Sequence, residues 1–311
     1  MPARPLVAID GLLVLLVVIW GVNFSVLKKA FVEIPPLPFN ALRLVISVAV
    51  FLAAIAIARR RVGEGRGAIS TVFFTPSPVT RRDWVELSVL GVIGHCFYQL
   101  GFVGGVAITS VSNAALIIGA TPVVIALLSA ALGRDRLGRL HWIGAALSLT
   151  GIYVVVGLGA SFTGATLDGD LLMMFSVGCW SVYTVGSTRL ISRHSPLFVT
   201  GVTMAIGAVP YVLWALPSIA AHDWRQVSPF TWGLLFFSAV LALNVSYLIW
   251  YVAVRQIGPA RTAIVSNLVP LAAMAVAAVW LREPITVTKL AGAAAILGGV
   301  ALTRLAAVPP K

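Results

Sequence analysis

The chain has 311 residues, of which 59% are hydrophobic and only 10% are charged. A soluble domain carries about a quarter charged residues, so the composition excludes an ordinary soluble globule and predicts a protein surrounded by lipid. The net charge of +12 does not indicate a nucleic-acid partner, because the basic residues lie between the apolar runs, where membrane topology places them.

The first apolar run resembles a signal peptide only superficially. Arg4 precedes an apolar stretch through Trp20, which is too long for a signal-peptide core. Lys28 and Lys29 then follow where small residues would mark a cleavage site. We therefore interpret the run as a retained first membrane span.

Ten apolar runs follow one another along the chain, each near the length of about 20 residues that crosses a bilayer as a helix. They cover residues 9–29, 37–59, 84–106, 111–133, 140–159, 170–190, 196–217, 231–254, 261–281 and 287–305. The connections are short, except for the polar segment 60–83. The fold class predicted is an all-α integral membrane protein with ten transmembrane helices.

Positive charges predict the orientation. With the N-terminus inside, the inner segments hold 16 of the 22 Lys and Arg residues, the outer segments hold five, and Arg43 lies within span 2. Because cytoplasmic loops carry the excess of Lys and Arg, we expect both termini in the cytoplasm and the protein in the cell membrane, inner or plasma.

The two halves of the chain repeat each other. Residues 98–159 slide onto 246–307 without a gap, so that Pro122 falls on Pro270 and Gly151 on Gly299. Trp20 of span 1 similarly corresponds to Trp180 of span 6. Each unit, 1–160 and 161–311, contains five spans, an odd number, so the second must run inverted. Inverted repeats of this kind are typical of transporters with a midplane site.

Polar side chains near the middle of spans are the candidates for substrate binding, because such groups face the bundle interior or a water-filled cavity. Span 6 carries the clearest stripe, at helical spacing. The candidates are Trp20, Asn23, Arg43, His95, Tyr98, Gln99, Trp180, Tyr183, Thr184, Asn244, Tyr247, Tyr251 and Asn267.

Alternatives remain for these residues. Trp20 and Trp180 lie too far from the ends of their spans for an interfacial belt, but core packing competes with cavity lining. Arg43 either holds a substrate carboxylate, snorkels to the membrane surface, or bonds to carbonyl groups at a helix end. His95 is either functional or a hydrogen-bonded core histidine. Pro122 and Pro270 predict helix kinks, either as polar notches in the cavity wall or for static packing.

No cofactor or metal site is predicted. Cys96 and Cys179 lie inside apolar runs without a CxxC partner or a ligand cluster nearby, and we interpret both as small hydrophobic residues. Gly101 and Gly105 form a GxxxG pattern that indicates close helix packing, within one protomer or between two.

Span 1 contains Trp20, Gly21, Asn23 and Phe24, and span 2 contains Arg43. In this combination the chain resembles the drug/metabolite transporter superfamily, EamA type, whose span-1 pattern and span-2 arginine these residues match. The usual Gly-Glu after span 4 is here Gly133-Arg134-Asp135, whereas the second half keeps Glu283. The resemblance implies a ten-helix fold, a central cavity lined by spans 1, 3, 4, 6, 8 and 9, and export of amino acids, their derivatives or amphiphilic drugs.

The function predicted is therefore a secondary transporter that exports small metabolites by alternating access, as a monomer or weak homodimer. A membrane-embedded enzyme acting on lipid-like substrates would need paired carboxylates or His/Asp clusters, and the sequence shows none. A passive pore or a scaffold remains an alternative. No Walker-type motif indicates ATP as the energy source.

Overall fold

The computed structural model describes residues 4–64, 70–132, 138–154, 164–257, 262 and 268–305. Within these residues the secondary structure is helical, without strands. The main helices are α1 Arg4–Ala30, α2 Pro36–Gly63, α3 Arg81–Ile108, α4 Val111–Gly119 continued by Thr121–Ala131, α5 Arg139–Tyr153, α6 Gly164–Arg193, α7 Pro196–Ala221, α8 Pro229–Ile257, α9 Val269–Trp280 and α10 Val287–Leu305.

The helices confirm an all-α membrane fold. Seven of those in the described part of the chain (α1–α4 and α6–α8) are long and apolar enough to cross a bilayer. The remaining predicted spans correspond to shorter apolar helices, Trp142–Gly151, Val269–Trp280 and Val287–Gly299. The C-terminal part of predicted span 5 and most of the first part of span 9 lie outside the described residues.

Helices α5 and α10 pack closely through glycines that the sequence repeat had aligned. A Cβ atom added at Gly151 would lie 2.8 Å from the carbonyl oxygen of Gly292, and one added at Gly299 would lie 2.4 Å from that of Gly144. The repeat pairs Gly151 with Gly299 and Gly144 with Gly292, so the two contacts are equivalent to each other. This is expected for equivalent helices related by an approximate two-fold axis. Small residues permit this approach because the backbones themselves are in contact.

The equivalent helices α3 and α8 both contain a π-helical segment. It covers Val92–Phe97 in α3 and Phe237–Val245 in α8. The repeat register that pairs Tyr98 with Ser246 also pairs the last residues of the two segments. Wide turns of this kind often occur at functional sites, and here each half has one at the same position.

Contacts between the halves join the helix ends at one side of the bundle. The Glu33 carboxylate accepts hydrogen bonds from the Ser228 N–H (2.7 Å) and hydroxyl (2.9 Å) at the start of α8. Glu283 likewise accepts from the N–H and hydroxyl of Ser112 at the start of α4. Buried Asp170 of α6 accepts hydrogen bonds from α3–α4 residues. We call this side the Glu33 end.

Ion pairs join the halves at the other side, which we call the Asp83 end. Asp83 caps the start of α3 in a capping box with Thr80. Its buried carboxylate lies 3.1 Å from Nη1 of both Arg189 and Arg193 at the end of α6, and 3.3 Å from His194 Nε2. The halves are therefore tied together at both ends of the bundle in this structure.

The stability that the contact between Glu33 and Ser228 contributes is expected to change with pH only under acidic conditions. Hydrogen bonds from the N–H and the hydroxyl of Ser228 lower the pKa of Glu33 below its ordinary value. A carboxyl group with a lowered folded-state pKa stabilises the protein above its unfolded-state pKa, and this contribution is lost as the pH falls through the folded value.

The free energies of unfolding of wild type and Glu33→Gln, measured by thermal unfolding, should therefore differ by a constant amount between about pH 8 and pH 6. This difference should shrink below about pH 4. Asp10→Asn, which removes an exposed carboxylate from α1, serves as the control for the loss of one acidic group. A difference that vanished near neutral pH would contradict this assignment of the contact.

Candidate functional site

A central cavity of ≈ 60 Å³ is lined mainly by α1, α3 and α8, with α2, α4, α6 and α9 each contributing one residue. It has room for a few water molecules and is smaller than the roughly 300–1,000 Å³ of a ligand pocket. Its lining residues are Trp20, Asn23, Phe24, Arg43, Tyr98, Gln99, Phe102, Ile118, Trp180, Ala242, Leu243, Tyr247 and Val269.

Trp180 is the centre of an aromatic cluster that both halves build. Its ring centroid lies 5.2 Å from those of Tyr98 and Tyr247, 5.9 Å from that of Trp250 and 6.1 Å from that of Trp20. The predicted pair Trp20 and Trp180 therefore meets edge to face, an arrangement that aromatic rings favour. Only 6% of Trp180 is exposed, so this residue belongs to the interior and not to an interfacial belt.

The indole of Trp20 is fixed in position by a hydrogen bond. Its Nε1–H donates to the carbonyl oxygen of Ala242 at 3.1 Å, within the π-helical segment of α8. One residue of the first half is thereby attached to the wide turn of the second half. A movement of α8 would change both the ring contacts and this hydrogen bond.

A polar network crosses the cavity beside the aromatic cluster. Arg43 donates from Nη1 to the hydroxyl of Ser238 at 3.0 Å and from Nη2 to Oε1 of Gln99 at 2.7 Å. Ser238 in turn donates to Oδ1 of Asn23 at 2.7 Å. The Gln99 amide lies 3.4 Å from the Tyr247 hydroxyl. Polar groups from α1, α2, α3 and α8 are thus connected through one guanidinium group.

Arg43 does not snorkel to the membrane surface, since only 1% of it is exposed. The ion pairs among the described residues lie at the two ends of the bundle, and none includes Arg43. Its Nε atom has no hydrogen-bond partner. A buried charge without a counter-charge is costly, so this cation is the most unusual feature of the cavity.

Other predicted site residues lie behind the cavity wall. His95 is fully buried, with Nε2 3.0 Å from the Tyr183 hydroxyl and 3.3 Å from that of Thr203 in α7. Tyr251 packs against Tyr183, with ring centroids 5.6 Å apart. These residues surround the aromatic cluster without lining the cavity.

The remaining predicted residues are placed as follows. Thr184 is fully buried, and the Asn244 amide donates to the carbonyl oxygen of Ser47 at 2.9 Å, away from the cavity lining. Asn267 lies outside the described residues. Helix α4 is interrupted at Ala120, two residues before Pro122, and Pro270 lies in the first turn of α9.

The two proline regions lie against each other. A Cβ atom added at Gly119 would lie 2.8 Å from Cγ of Pro270. The break in α4 therefore packs directly on the first described turn of α9, next to the cavity residues Ile118 and Val269.

Ser238 is a site residue that sequence reasoning missed. It lies nine residues before Tyr247, and at the α-helical rotation of about 100° per residue the two would face opposite sides of span 8. The π-helical segment between them accommodates an additional residue per turn, which brings both side chains into one network. A stripe sought at α-helical spacing therefore excludes Ser238.

A second cavity, of ≈ 270 Å³, lies at the Asp83 end between α2, α7 and the segment 73–79. Arg59 lines this cavity and lies 5.7 Å from the ring centroid of Phe198. It contains none of the predicted binding residues.

Comparisons with known proteins agree on the type of molecule. The sequence profile of the EamA-like transporter family matches residues 8–157 and again 167–305. The chain is 30% identical over 223 residues to the uncharacterized transporter YyaM of Bacillus subtilis (strain 168), which covers 71% of this chain and 73% of that protein.

It is also 27% identical over 303 residues to a probable amino-acid metabolite efflux pump of Salmonella typhimurium (strain LT2), covering 94% of this chain and 93% of that protein. A solved structure described as "Crystal structure of protein" superposes with a TM-score of 0.66 at 22% identity, over 96% of this chain and 97% of that one. That likeness concerns the fold.

Proposed function

The chain belongs to the EamA-like transporter family, and from this premise we propose that it is a secondary exporter of small metabolites, amino acids or their derivatives among them, that works by alternating access. The central cavity is its substrate site. The observation that carries this proposal is that the cavity is shared by the two inverted halves, with Trp20 from one and Trp180 from the other in ring contact.

The contacts at the two ends support alternating access. The halves are held together by carboxylate hydrogen bonds at the Glu33 end and by ion pairs at the Asp83 end. Rocking of one half against the other would break one set while keeping the other. The small cavity volume fits a state between the two openings, because a metabolite needs more room than a few water molecules occupy.

The positive-inside bias supports placing both termini and the Asp83 end in the cytoplasm, and the repeat supports units of 1–160 and 161–311. We further propose that one protomer is the transport unit, as a monomer or weak homodimer, since both halves that build the cavity belong to one chain. Export from the cytoplasm then requires the ion pairs at the Asp83 end to open for substrate entry.

Solute counterflow in proteoliposomes tests this proposal. Vesicles loaded with millimolar unlabelled substrate should accumulate the labelled form transiently above its outside concentration. The reason is that a carrier exchanges labelled for unlabelled substrate faster than the total substrate concentrations on the two sides become equal. The panel includes amino acids, their N-acyl derivatives, aromatic acids and amphiphilic amines. Equilibration without an overshoot would indicate a pore, and no uptake of any compound by folded protein would contradict the transport proposal.

The Asp83 end provides a related prediction. Asp83→Asn keeps a side chain that can accept the capping hydrogen bond from the Thr80 N–H but removes the charge that attracts Arg189 and Arg193. We expect this variant to favour the state that is open at the Asp83 end. Cysteines introduced near that end as probes should then react faster with a thiol reagent. Matched Asp223→Asn, in the exposed turn before α8, should leave that reactivity unchanged.

A further inference from the structure

On the basis of the proposed function, we infer a narrower substrate class: the site takes organic carboxylates with a neutral, apolar or aromatic body. Zwitterionic amino acids and cationic amphiphiles are disfavoured. The substrate carboxylate is held by Arg43 and the body by the Trp20 and Trp180 rings. The argument depends on charge balance in the cavity and on the hydrogen-bond partners of the guanidinium group.

Arg43 is held ready to bind an anion. Both of its described hydrogen bonds from the Nη atoms go to neutral acceptors, the hydroxyl of Ser238 and the amide oxygen of Gln99. Hydrogen bonds to a carboxylate are roughly twice as strong as those to neutral groups, and a planar guanidinium binds a carboxylate through two parallel bonds. A carboxylate in the cavity would therefore replace weaker partners with a stronger one and neutralise the buried charge.

An ammonium group has no matching partner in the same cavity. Among the described residues that line the cavity, Arg43 is the only charged one, and none of them is a carboxylate. The acidic residues Glu33, Asp83 and Glu283 make their contacts at the bundle ends. A zwitterion would leave its ammonium group without a counter-charge near a guanidinium group that repels it.

The aromatic rings are the remaining candidate partners for an ammonium group. Cation–π attraction to tryptophan favours an ammonium group, but the repulsion from Arg43 opposes it in the same low-dielectric cavity. The rings Trp20, Trp180 and Tyr98 instead suit a flat, neutral body. A monoanion satisfies both parts of the site, whereas a zwitterion satisfies only one.

Four compounds that share a phenyl body test the inference: 3-phenylpropionate, N-acetylphenylalanine, phenylalanine and 2-phenylethylamine. Binding to the purified, detergent-solubilised protein is measured by the change in tryptophan fluorescence, with flux in proteoliposomes as the second readout. We expect the two acids to bind about tenfold or more tightly than phenylalanine, because the ammonium group of phenylalanine is left without a counter-charge. The amine is expected not to bind, because it lacks the carboxylate that Arg43 would hold.

The variant Arg43→Gln keeps hydrogen-bonding groups but removes the charge. It is expected to lower the affinity for both acids by about tenfold or more, while Arg43→Lys retains part of it, because a lysine provides charge without the two-pronged geometry. Arg225→Gln, in the exposed turn before α8, removes one positive charge outside the cavity and should change nothing. The wild-type panel keeps the test valid if Arg43→Gln does not fold.

Each outcome decides the inference. Phenylalanine binding as tightly as the acids, or the amine binding best, overturns it and leaves the exporter proposal intact. Counterflow of other compounds without binding of either acid would also overturn the inference and leave the exporter proposal intact. If no compound of any charge binds or exchanges, the proposed function and this inference both fail.

Discussion

Replacing Trp180 with alanine is expected to lower substrate flux by about tenfold or more while the protein remains folded enough to purify. Trp180 contacts rings of both halves, with centroids 5.2 Å away at Tyr98 and Tyr247 and 6.1 Å away at Trp20. Truncating a buried tryptophan costs about 3–5 kcal/mol, and here the loss falls on the wall of the cavity that we propose as the substrate site. Initial rates of counterflow measure the effect.

Trp214→Ala is the matched control, since it removes the same side chain from a position that is 71% exposed on α7. Its flux should equal that of wild type. Trp180→Phe should keep part of the flux, because one ring still contacts the cluster. Normal transport by Trp180→Ala would show that the aromatic cavity is not the substrate site, and it would leave the transport function itself uncontradicted.

Gly207→Ala is expected to destabilise the protein strongly, although it adds only one methyl group. A Cβ atom at Gly207 would lie 2.1 Å from the carbonyl oxygen of Gly91 and 2.7 Å from Cβ of His95. The obstacle is the backbone of α3 just before its π-helical segment, so α7 has to move away. Overpacking of this kind costs about 1–3 kcal/mol or more, which thermal unfolding in detergent would detect.

Gly233→Ala provides the comparison within the same fold. Nothing lies within 4 Å of a Cβ atom added at this exposed position in α8, and alanine is a better helix former than glycine by about 1 kcal/mol. Its stability should be equal to or above that of wild type. Equal stabilities of Gly207→Ala and Gly233→Ala would mean that the close contact between α3 and α7 does not exist in the protein.

The repeat and the cavity pair could be predicted because they rest on local and periodic signals. Pro122 and Pro270 align without a gap, and the register that aligns them also pairs Gly151 with Gly299, whose helices are in contact. Trp20 and Trp180 are mid-span polar aromatics at equivalent positions, and they meet in the structure. An apolar medium makes every polar mid-span residue conspicuous.

The division between cavity lining and supporting wall could not be predicted. His95, Tyr183 and Thr184 share a polar face with lining residues, but neighbouring helices cover them, and α7 supplies Thr203 as a partner for His95. Which side of a polar helix faces a cavity depends on the rotation of the helix against its neighbours, and a helical wheel carries no information about that rotation.

Sequence by itself determined that the chain lies in a membrane as two related five-helix units, because apolar length, charge placement and repetition are properties of the chain alone. Only the tertiary structure decided how Arg43 is used. Its guanidinium group is held by Ser238 and Gln99, from α8 and α3, and Ser238 reaches it through a π-helical turn. The physical reason is that burial and the absence of a counter-charge arise from the packing of distant segments, and no local pattern in the sequence records them.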